Sequence, residues 1–293
     1  MIYKDLILTS EYETIELVDK YKIPFAQQIL VENKEDILRC VNKIDYPITL
    51  KALAEGITHK SDYGLVVTDI KDESNLIKSI NEIINNAQRL NLKGFLIQKH
   101  IVGRRELIVG GLKHEHYGPC IYIGIGGIIV EALEDVSFRS IPISMVDLEE
   151  MISTLKCNKV LGSFRGESPV NRKLLFSMIK SVEALLINEP TIAQIELNPV
   201  IIQGDTPIAV DILAYKFNSN AQSQFVSDEK VLESHDKSLL KNIFEPQRIA
   251  IVGITDSPLK WGFRVLFNTL EGRFKGKIYG VNPKKQEVLG IPC

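Results

Sequence analysis

Between two apolar runs, residues 47–54 and 65–70, the chain carries Lys51 and then Gly56, Thr58, His59, Lys60, Ser61, Asp62 and Gly64. Two lysines, two hydroxyls and an imidazole in a glycine-flanked turn between strands suit a polyphosphate. Amide N–H groups of such a turn form an anion nest, and each ammonium adds a point charge. A solvated hairpin turn accounts for the same residue types, because turns favour Gly, Ser and Asp whatever they bind. His59 stands in the middle of this turn. A neutral imidazole there either attacks a phosphoryl group and holds it covalently or is a plain hydrogen-bond partner of phosphate.

Glu196, Asn198 and Asp211 fall at strand ends close together in sequence. Oxygen donors too few to enclose an ion, leaving places for water and phosphate, describe Mg²⁺ rather than zinc. The alternative is a turn at Asn198-Pro199 and an ordinary strand-end carboxylate at Asp211. Glu106, beyond the Gly103-Arg104-Arg105 turn, reads equally as an exposed strand residue paired to an arginine, and Glu131 is the same case. His100, His114, His116 and His235 show no ligand spacing with one another and read as surface polar residues.

These groups need elements to hold them. Ser10 and Glu13 form a capping-box pattern that opens a helix to about Tyr21. A strand is expected over residues 25–31, a helix capped by Asn33 through Val41, and an amphipathic helix over 74–90 with Ile77, Ile80, Ile84 and Ala87 on its apolar face. The texture then turns to strands at 95–99, 106–110, 120–124, 128–132 and 138–141, punctuated by glycine pairs. Gly124-Ile-Gly-Gly127 is not a dinucleotide fingerprint, since β-type residues follow where a helix is required; a tight turn is expected. Helices return at 147–154 and 171–187, the second with Leu174, Leu175, Met178, Val182 and Leu185 as core. Strands at 192–197, 200–203 and 208–212, with a turn at Asn198-Pro199, complete an α+β body of two subdomains with a cleft between them.

That body is expected over residues 1–215, a polar linker over 216–238, and a second unit over 239–293. The second unit reads as one βαβ: strand Arg248-Ile-Ala-Ile-Val-Gly253, helix 262–271, strand Lys277-Ile-Tyr-Gly-Val281. A two-stranded parallel sheet cannot bury both faces, so completion by a partner chain or by further sequence is expected. The overall composition of 293 residues, 45% hydrophobic and 25% charged, is that of a globular protein of about two domains. A net charge of −2 argues against a nucleic-acid or anionic-membrane surface. Residues 1–10 carry Lys4 and Asp5 and do not read as a signal peptide, and no apolar run reaches the roughly 20 residues of a membrane span. Cys40, Cys120, Cys157 and Cys293 lie far apart without a CxxC pair, which fits reduced thiols and a cytoplasmic location.

Several of these stretches, in order, resemble the ATP-grasp domain of the NDP-forming acyl-CoA synthetases, the ADP-forming acetate–CoA ligases and relatives of succinyl-CoA synthetase. They are HKSDYG at 59–64, RELIVGG at 105–111, YGPCIYIGIGGIIVEALEDVSFRSIPI at 117–143, SFRG at 163–166, IELNPVII at 195–202 and AVDI at 209–212. The tail, IAIVGITDSP…GKIYGVNPKKQEVLG, resembles the start of that family's CoA-binding domain. The fold implied is α/β, a two-subdomain ATP-grasp followed by an incomplete Rossmann-like unit. The resemblance implies that Lys51 holds nucleotide phosphates, with Thr58, Lys60, Ser61 and Gly64 in the loop closing over them. Gln98 and Ile101 would meet adenine at the hinge, and Glu106 the ribose. Asn198 and Asp211, with Glu196 beside them, would hold Mg²⁺, and His59 would relay phosphate from a phosphohistidine segment to ADP. Gly253, Thr255, Pro283 and Lys285 would face CoA.

The sequence departs from the family pattern at Leu65, where a second glycine is usual, and at His114, where an aspartate is common. The remainder of the CoA domain and the domain bearing the primary phosphohistidine do not occur in these residues, so a partner subunit or further domains are implied. The function implied is the nucleotide-binding part of an ADP-forming acyl-CoA synthetase. Rival readings are a regulatory synthetase-like module, as in a protein lysine acetyltransferase that senses nucleotide or acyl-CoA, and an assembly subunit.

Overall fold

The computed structural model describes residues 6–57, 60–126, 135–218 and 242–293. Thr58, His59, Glu131, His235 and the expected strand at 128–132 fall outside the described residues. The chain divides into two compact units, Met1–Val226 and Ser227–Cys293.

The first unit opens with β1 (Leu6–Leu8) and α1 (Glu11–Lys20), whose capping box from Ser10 and Glu13 is formed as expected. A four-stranded antiparallel sheet follows, built from β2 (Gln28–Val31), β3 (Ile48–Ala54), β4 (Val66–Ile70) and β5 (Leu92–Lys99) in the order β2-β5-β3-β4. Helices α2 (Lys34–Cys40) and α3 (Glu73–Asn86) accompany it, and their apolar residues share one core with the sheet. The buried face of α3 is Leu76, Ser79, Ile80 and Ile83, with Ala87 just beyond, while Ile77 is exposed. The face actually used runs i, i+4, i+7, i+11 from Leu76, and Ile77 and Ile84 flank it one residue round the helix.

The larger sheet takes β6 (Glu106–His114), β7 (Gly118–Ile125), β8 (Val136–Ser140), β9 (Ile192–Gln203), β10 (Thr206–Ala209) and β11 (Ile212–Phe217). With β1 it is ordered β1-β11-β9-β6-β7-β8, and β10 pairs with β9. Helices α4 (Met145–Thr154) and α5 (Arg172–Asn188) join α1 in its core. On α5 the expected Leu175, Met178, Val182 and Leu185 are fully buried, but Leu174 is exposed in the first turn, where its amide is capped by Asn171.

Two expected boundaries change, and both shape the cleft. Asn198-Pro199 is not a turn between strands: β9 runs through it for 12 residues. Leu197 pairs with Val109 and Val200 with Leu107, so Asn198 and Pro199 together oppose Ile108. This is a bulge, and in an inner strand such as β9 a bulge is where a residue without an N–H costs no ladder bond. The expected strand at 208–212 is instead broken between β10 and β11, at Val210-Asp211. In the second unit, β12 (Arg248–Val252) and β13 (Lys277–Val281) are parallel and joined through α6 (Trp261–Glu271), as the βαβ reading requires. A small β14 (Glu287–Val288) and β15 (Ile291–Pro292) hairpin adds Val288 to a core of Ile254 and Leu266. The four cysteines are free thiols. Among the described residues no helix is long and apolar enough to cross a membrane.

Candidate functional site

A cleft of about 390 Å³ lies between the two sheets of the first unit. Lys51, Ser61, Gln98, Ile101, Glu106 and Asp211 all line it, drawn from positions 160 residues apart in the chain. Lys51 comes from β3, an inner strand paired to β4 at Val66 and to β5 at Leu96. Its side chain is only 7% exposed, and Nζ donates to the Val210 carbonyl at 2.6 Å with Asp211 Oδ1 at 3.5 Å. The break between β10 and β11 presents both acceptors. Burial lowers the Lys51 pKa, and the attraction of Asp211 does not fully offset it. The site thus holds a buried cation with less compensation than it needs, a disposition that suits a polyanion.

Gln98 is buried on β5 between Gln28 of β2 and Thr49 of β3, and its Nε2 donates to Gln28 Oε1 at 3.2 Å. Ile101 follows at the crossing from β5 of the smaller sheet to β6 of the larger. Gly103 in that crossing lies so close to β9 that a Cβ would meet the Ile202 carbonyl at 2.4 Å. Glu106 begins β6 and its carbonyl accepts from Gly126 N–H at 2.7 Å. Gln98, Ile101 and Glu106 all line the same cleft, at and on either side of the crossing between the two sheets.

The phosphate-type turn is described from Lys60 onward as a single 3-10 turn, Lys60–Tyr63. Ser61 faces the cleft, but Lys60 does not line it: its ammonium is 2.6 Å from Glu11 Oε1 and 4% exposed. Gly64 has φ +63°, which favours a glycine, and a Cβ there would also push aside the Asn86 amide that donates to the Gly64 carbonyl. Leu65, the first family departure, is a fully buried core residue of the smaller subdomain and is not part of the cleft wall. His114, the second, accepts the N–H groups of His116 and Tyr117 through Nδ1 and so supports the turn between β6 and β7.

Asp211 and Asn198 are brought together at the bulge, where Asn198 N–H donates to the Asp211 carbonyl at 3.2 Å. Asn198 Nδ2 donates to Glu196 Oε1 at 3.2 Å, which turns the carboxamide oxygen away from Glu196. Glu196 does not line the cleft; its other oxygen accepts from the Tyr122 hydroxyl at 2.7 Å. Among the described residues no cluster of three or more His, Cys, Asp or Glu is placed to hold a metal. Asp211 on the cleft wall, with Asn198 tied to it through the backbone, offers two oxygen donors that fit an ion filling its shell with water and phosphate oxygens, as Mg²⁺ does. Sequence reasoning missed Tyr122 and Glu11. The signal for Tyr122 was Gly110, where a Cβ would sit 2.3 Å from the Tyr122 ring: the glycine is the space through which the ring reaches Glu196.

In the second unit, Gly253 (φ +81°) ends β12, and its N–H donates to Val281 of β13 at 2.7 Å. Gly262 opens α6 so close that a Cβ would be 2.0 Å from the Gly253 carbonyl. Thr255 follows, and Lys285 reaches back to pair with Asp256 at 2.7 Å, while Asn282 donates to the Ile254 carbonyl. Gly253, Thr255, Pro283 and Lys285 thus share the carboxyl edge of a parallel strand pair, the usual ligand edge of such sheets.

Residues 4–214 match an ATP-grasp domain family, and residues 247–293 match a CoA binding domain family. Acetate–CoA ligase [ADP-forming] I subunit beta of Pyrococcus furiosus is 36% identical over 205 residues, which is 69% of this chain and 88% of that subunit. Acetate–CoA ligase [ADP-forming] II of Archaeoglobus fulgidus is 29% identical over 98% of this chain, which spans 40% of the length of that relative. Dinucleotide-forming acetyl-coenzyme A synthetase 1 of Ca. Korarchaeum cryptofilum, solved with coenzyme A and Ca-AMPCP, is 31% identical with a TM-score of 0.66, covering 73% of this chain and 94% of that one. Another structure of that enzyme holds Mg-AMPPCP and has its phosphohistidine segment pointing towards the nucleotide binding site, at a TM-score of 0.62. Two sheets enclosing a lysine-bearing cleft, a match to the ATP-grasp family over residues 4–214 and the likeness to a beta subunit lead to one conclusion: this chain belongs to the ATP-grasp family of the ADP-forming acetate–CoA ligases.

Proposed function

We propose that the chain is the nucleotide-binding part of an ADP-forming acyl-CoA synthetase, with an ATP-grasp body expected over residues 1–215 and carried by β11 to Phe217, a linker from there to 238 and a CoA-binding region over 239–293. The reaction is acyl-CoA + ADP + phosphate ⇌ carboxylic acid + CoA + ATP, carried out in the cytoplasm. The observation that carries this is the cleft in which the under-compensated Lys51 faces Asp211 between two sheets. The relatives that are separate beta subunits support the idea that a partner subunit, or further domains, supplies the primary phosphohistidine.

In this mechanism Lys51 binds the nucleotide phosphates, and Ser61, Thr58 and the turn ending at Gly64 orient them. Gln98 and Ile101 hold the base and Glu106 the ribose. Asn198 and Asp211 hold Mg²⁺, with Glu196 fixing the Asn198 amide. When bound, the ion supplies neutralisation of phosphate charge. His59 divides transfer into two in-line steps. First the incoming P–N bond breaks as His59 takes the phosphoryl group; then the His59 P–N bond breaks as an ADP β-phosphate oxygen forms the new P–O bond. The chain supplies position and charge more than covalent chemistry. In the tail, Gly253, Thr255, Pro283 and Lys285 receive CoA.

The test is labelling of the purified chain with γ-phosphate-labelled ATP and Mg²⁺, beside His59→Ala. An acid-labile, base-stable label lost in the variant is the expected result, with nucleotide affinity nearly unchanged. Equal loss of label and affinity in His59→Ala would make His59 a binding residue. Nucleotide binding with no label, even after a phosphohistidine-bearing subunit is added, would overturn the catalytic reading in favour of a sensor.

A further inference from the structure

Lys51 and Lys60 both leave the smaller sheet and both end on carboxylates that belong to the larger one, yet the two pairs differ. The Lys51–Asp211 contact is 3.5 Å long and Asp211 is one-third exposed on the cleft wall. The Lys60–Glu11 contact is 2.6 Å, its ammonium is 4% exposed, and it lies off the wall. Glu11 is the first residue of α1, where a helix N-terminus favours a carboxylate, and Val18 of the same helix belongs to the larger core. Lys60 begins the turn that carries Ser61 to the cleft, and its own carbonyl accepts from Leu65 N–H while that of Ser61 accepts from Gly64 N–H.

We propose that Glu11 is a positioning residue of the nucleotide cleft, clamping the Lys60–Tyr63 turn to the larger subdomain by holding the Lys60 ammonium. The pair at Lys51 exchanges its partner for phosphate; the pair at Lys60 stays closed and fixes the turn that presents Ser61. Lys60 is therefore a structural cation and not a phosphate ligand. Burial pushes the Lys60 ammonium down, but the carboxylates of Asp211 and Glu11 outweigh it and hold its pKa above the ordinary lysine value, the reverse of Lys51. A buried ion pair set by two separate elements is a register device more than a source of stability.

This inference rests on the nucleotide-binding reading, and the experiment separates the two. The full chain is compared with Glu11→Gln, Lys60→Gln and the double variant by equilibrium binding of Mg-ADP and by amide exchange. Loss of the clamp lowers the fraction of chains with a formed turn, and each single variant is expected to bind about tenfold more weakly. Exchange should rise in residues 60–66 and stay unchanged in α5. The double variant should bind no more weakly than Lys60→Gln alone, because removing the Lys60 ammonium already abolishes the Glu11 contact. Glu11→Gln strands a buried ammonium; if it does not fold, Lys60→Gln, which leaves only a part-exposed carboxylate, carries the same comparison. Affinity within about twofold of the parent together with unchanged exchange, or losses that multiply in the double variant, would overturn the clamp. If the parent chain binds no nucleotide, the functional reading fails, and the exchange data alone decide the clamp.

Discussion

Replacing Lys51 with methionine should raise stability and destroy binding at the same time. The Lys51 ammonium is 7% exposed and its pKa is lowered, so burial costs the charged form more than Asp211 returns. Methionine fills a similar volume without that cost. The losses are one hydrogen bond to the Val210 carbonyl, worth about 1 kcal/mol, and one partner of Asp211, which is exposed enough to be rehydrated. Replacing both partners of a buried ion pair by apolar residues has been neutral or stabilising by about 1–4 kcal/mol, and the partner left behind here, Asp211, is one-third exposed to water. A net gain of about 1 kcal/mol, read as a rise in Tm of roughly 2–4 °C, is therefore expected for the nucleotide-free chain. Against this, a charge-assisted contact to phosphate is worth about 1.5–3 kcal/mol, so Mg-ADP affinity should fall roughly 10- to 150-fold. Thermal melts without ligand and with one concentration of Mg-ADP read both effects: the parent melts lower but climbs with ligand, and Lys51→Met starts higher and climbs much less. The sign extends to pH. With the folded pKa below the unfolded one, the unfolded chain binds more protons in the interval between them, so parent stability rises with pH there and the variant lacks that rise. A variant melting clearly below the parent without ligand would refute the claim that this lysine is held at a cost to the fold. A ligand shift as large as the parent's would refute its assignment to phosphate.

Gly110→Ala drives a methyl group to 2.3 Å from the Tyr122 ring and 2.7 Å from the Ile195 carbonyl, and the carbonyl cannot yield. Overpacking of about 1–3 kcal/mol plus the Tyr122–Glu196 hydrogen bond should lower the denaturant midpoint of the first unit, followed by circular dichroism. The fluorescence transition of the lone tryptophan, Trp261 of the second unit, should not move, and Tyr122→Leu in the same chain should recover part of the loss. Lys113 is pushed down to about 8 by burial, with Glu189 partly opposing, and its Nζ donates to the Glu189 carbonyl. Between pH 8 and the ordinary lysine value of 10.5 the unfolded chain keeps a proton the folded one has lost, so stability gains a rising contribution there. Unfolding at successive pH values should show a shallower rise in Lys113→Met, and equal slopes would contradict the burial of this ammonium.

Much of the local architecture was legible because its causes are local. Ser10 and Glu13 cap α1 through contacts three residues apart, Gly64 answers to its own φ, and the βαβ rhythm of residues 248–281 is written in turns and apolar runs. The conflict at Asn198-Pro199 shows the boundary of that logic. Proline argues for a turn as long as the partner strand is unknown, and only the pairing with β6 reveals a bulge that excuses its missing N–H. Helix faces slipped for a related reason. Ile77 and Leu76 are equally apolar, and what lies opposite decides which one is buried.

The sequence by itself determined a set of residues whose chemistry suits phosphate and a hard cation, and their order along the chain. Tertiary structure then brought Lys51, Ser61, Gln98, Glu106 and Asp211 to one cleft, with Asn198 tied to Asp211 through its N–H. What only the fold decided is how the charges pair. Lys51 and Lys60 lie nine positions apart and look interchangeable in sequence, yet one ammonium stands on the cleft wall against Asp211 and the other is sealed against Glu11. Their partners come from opposite ends of the first unit, and an ion pair depends on distance in space and on the exclusion of water, neither of which is encoded by neighbours in the chain.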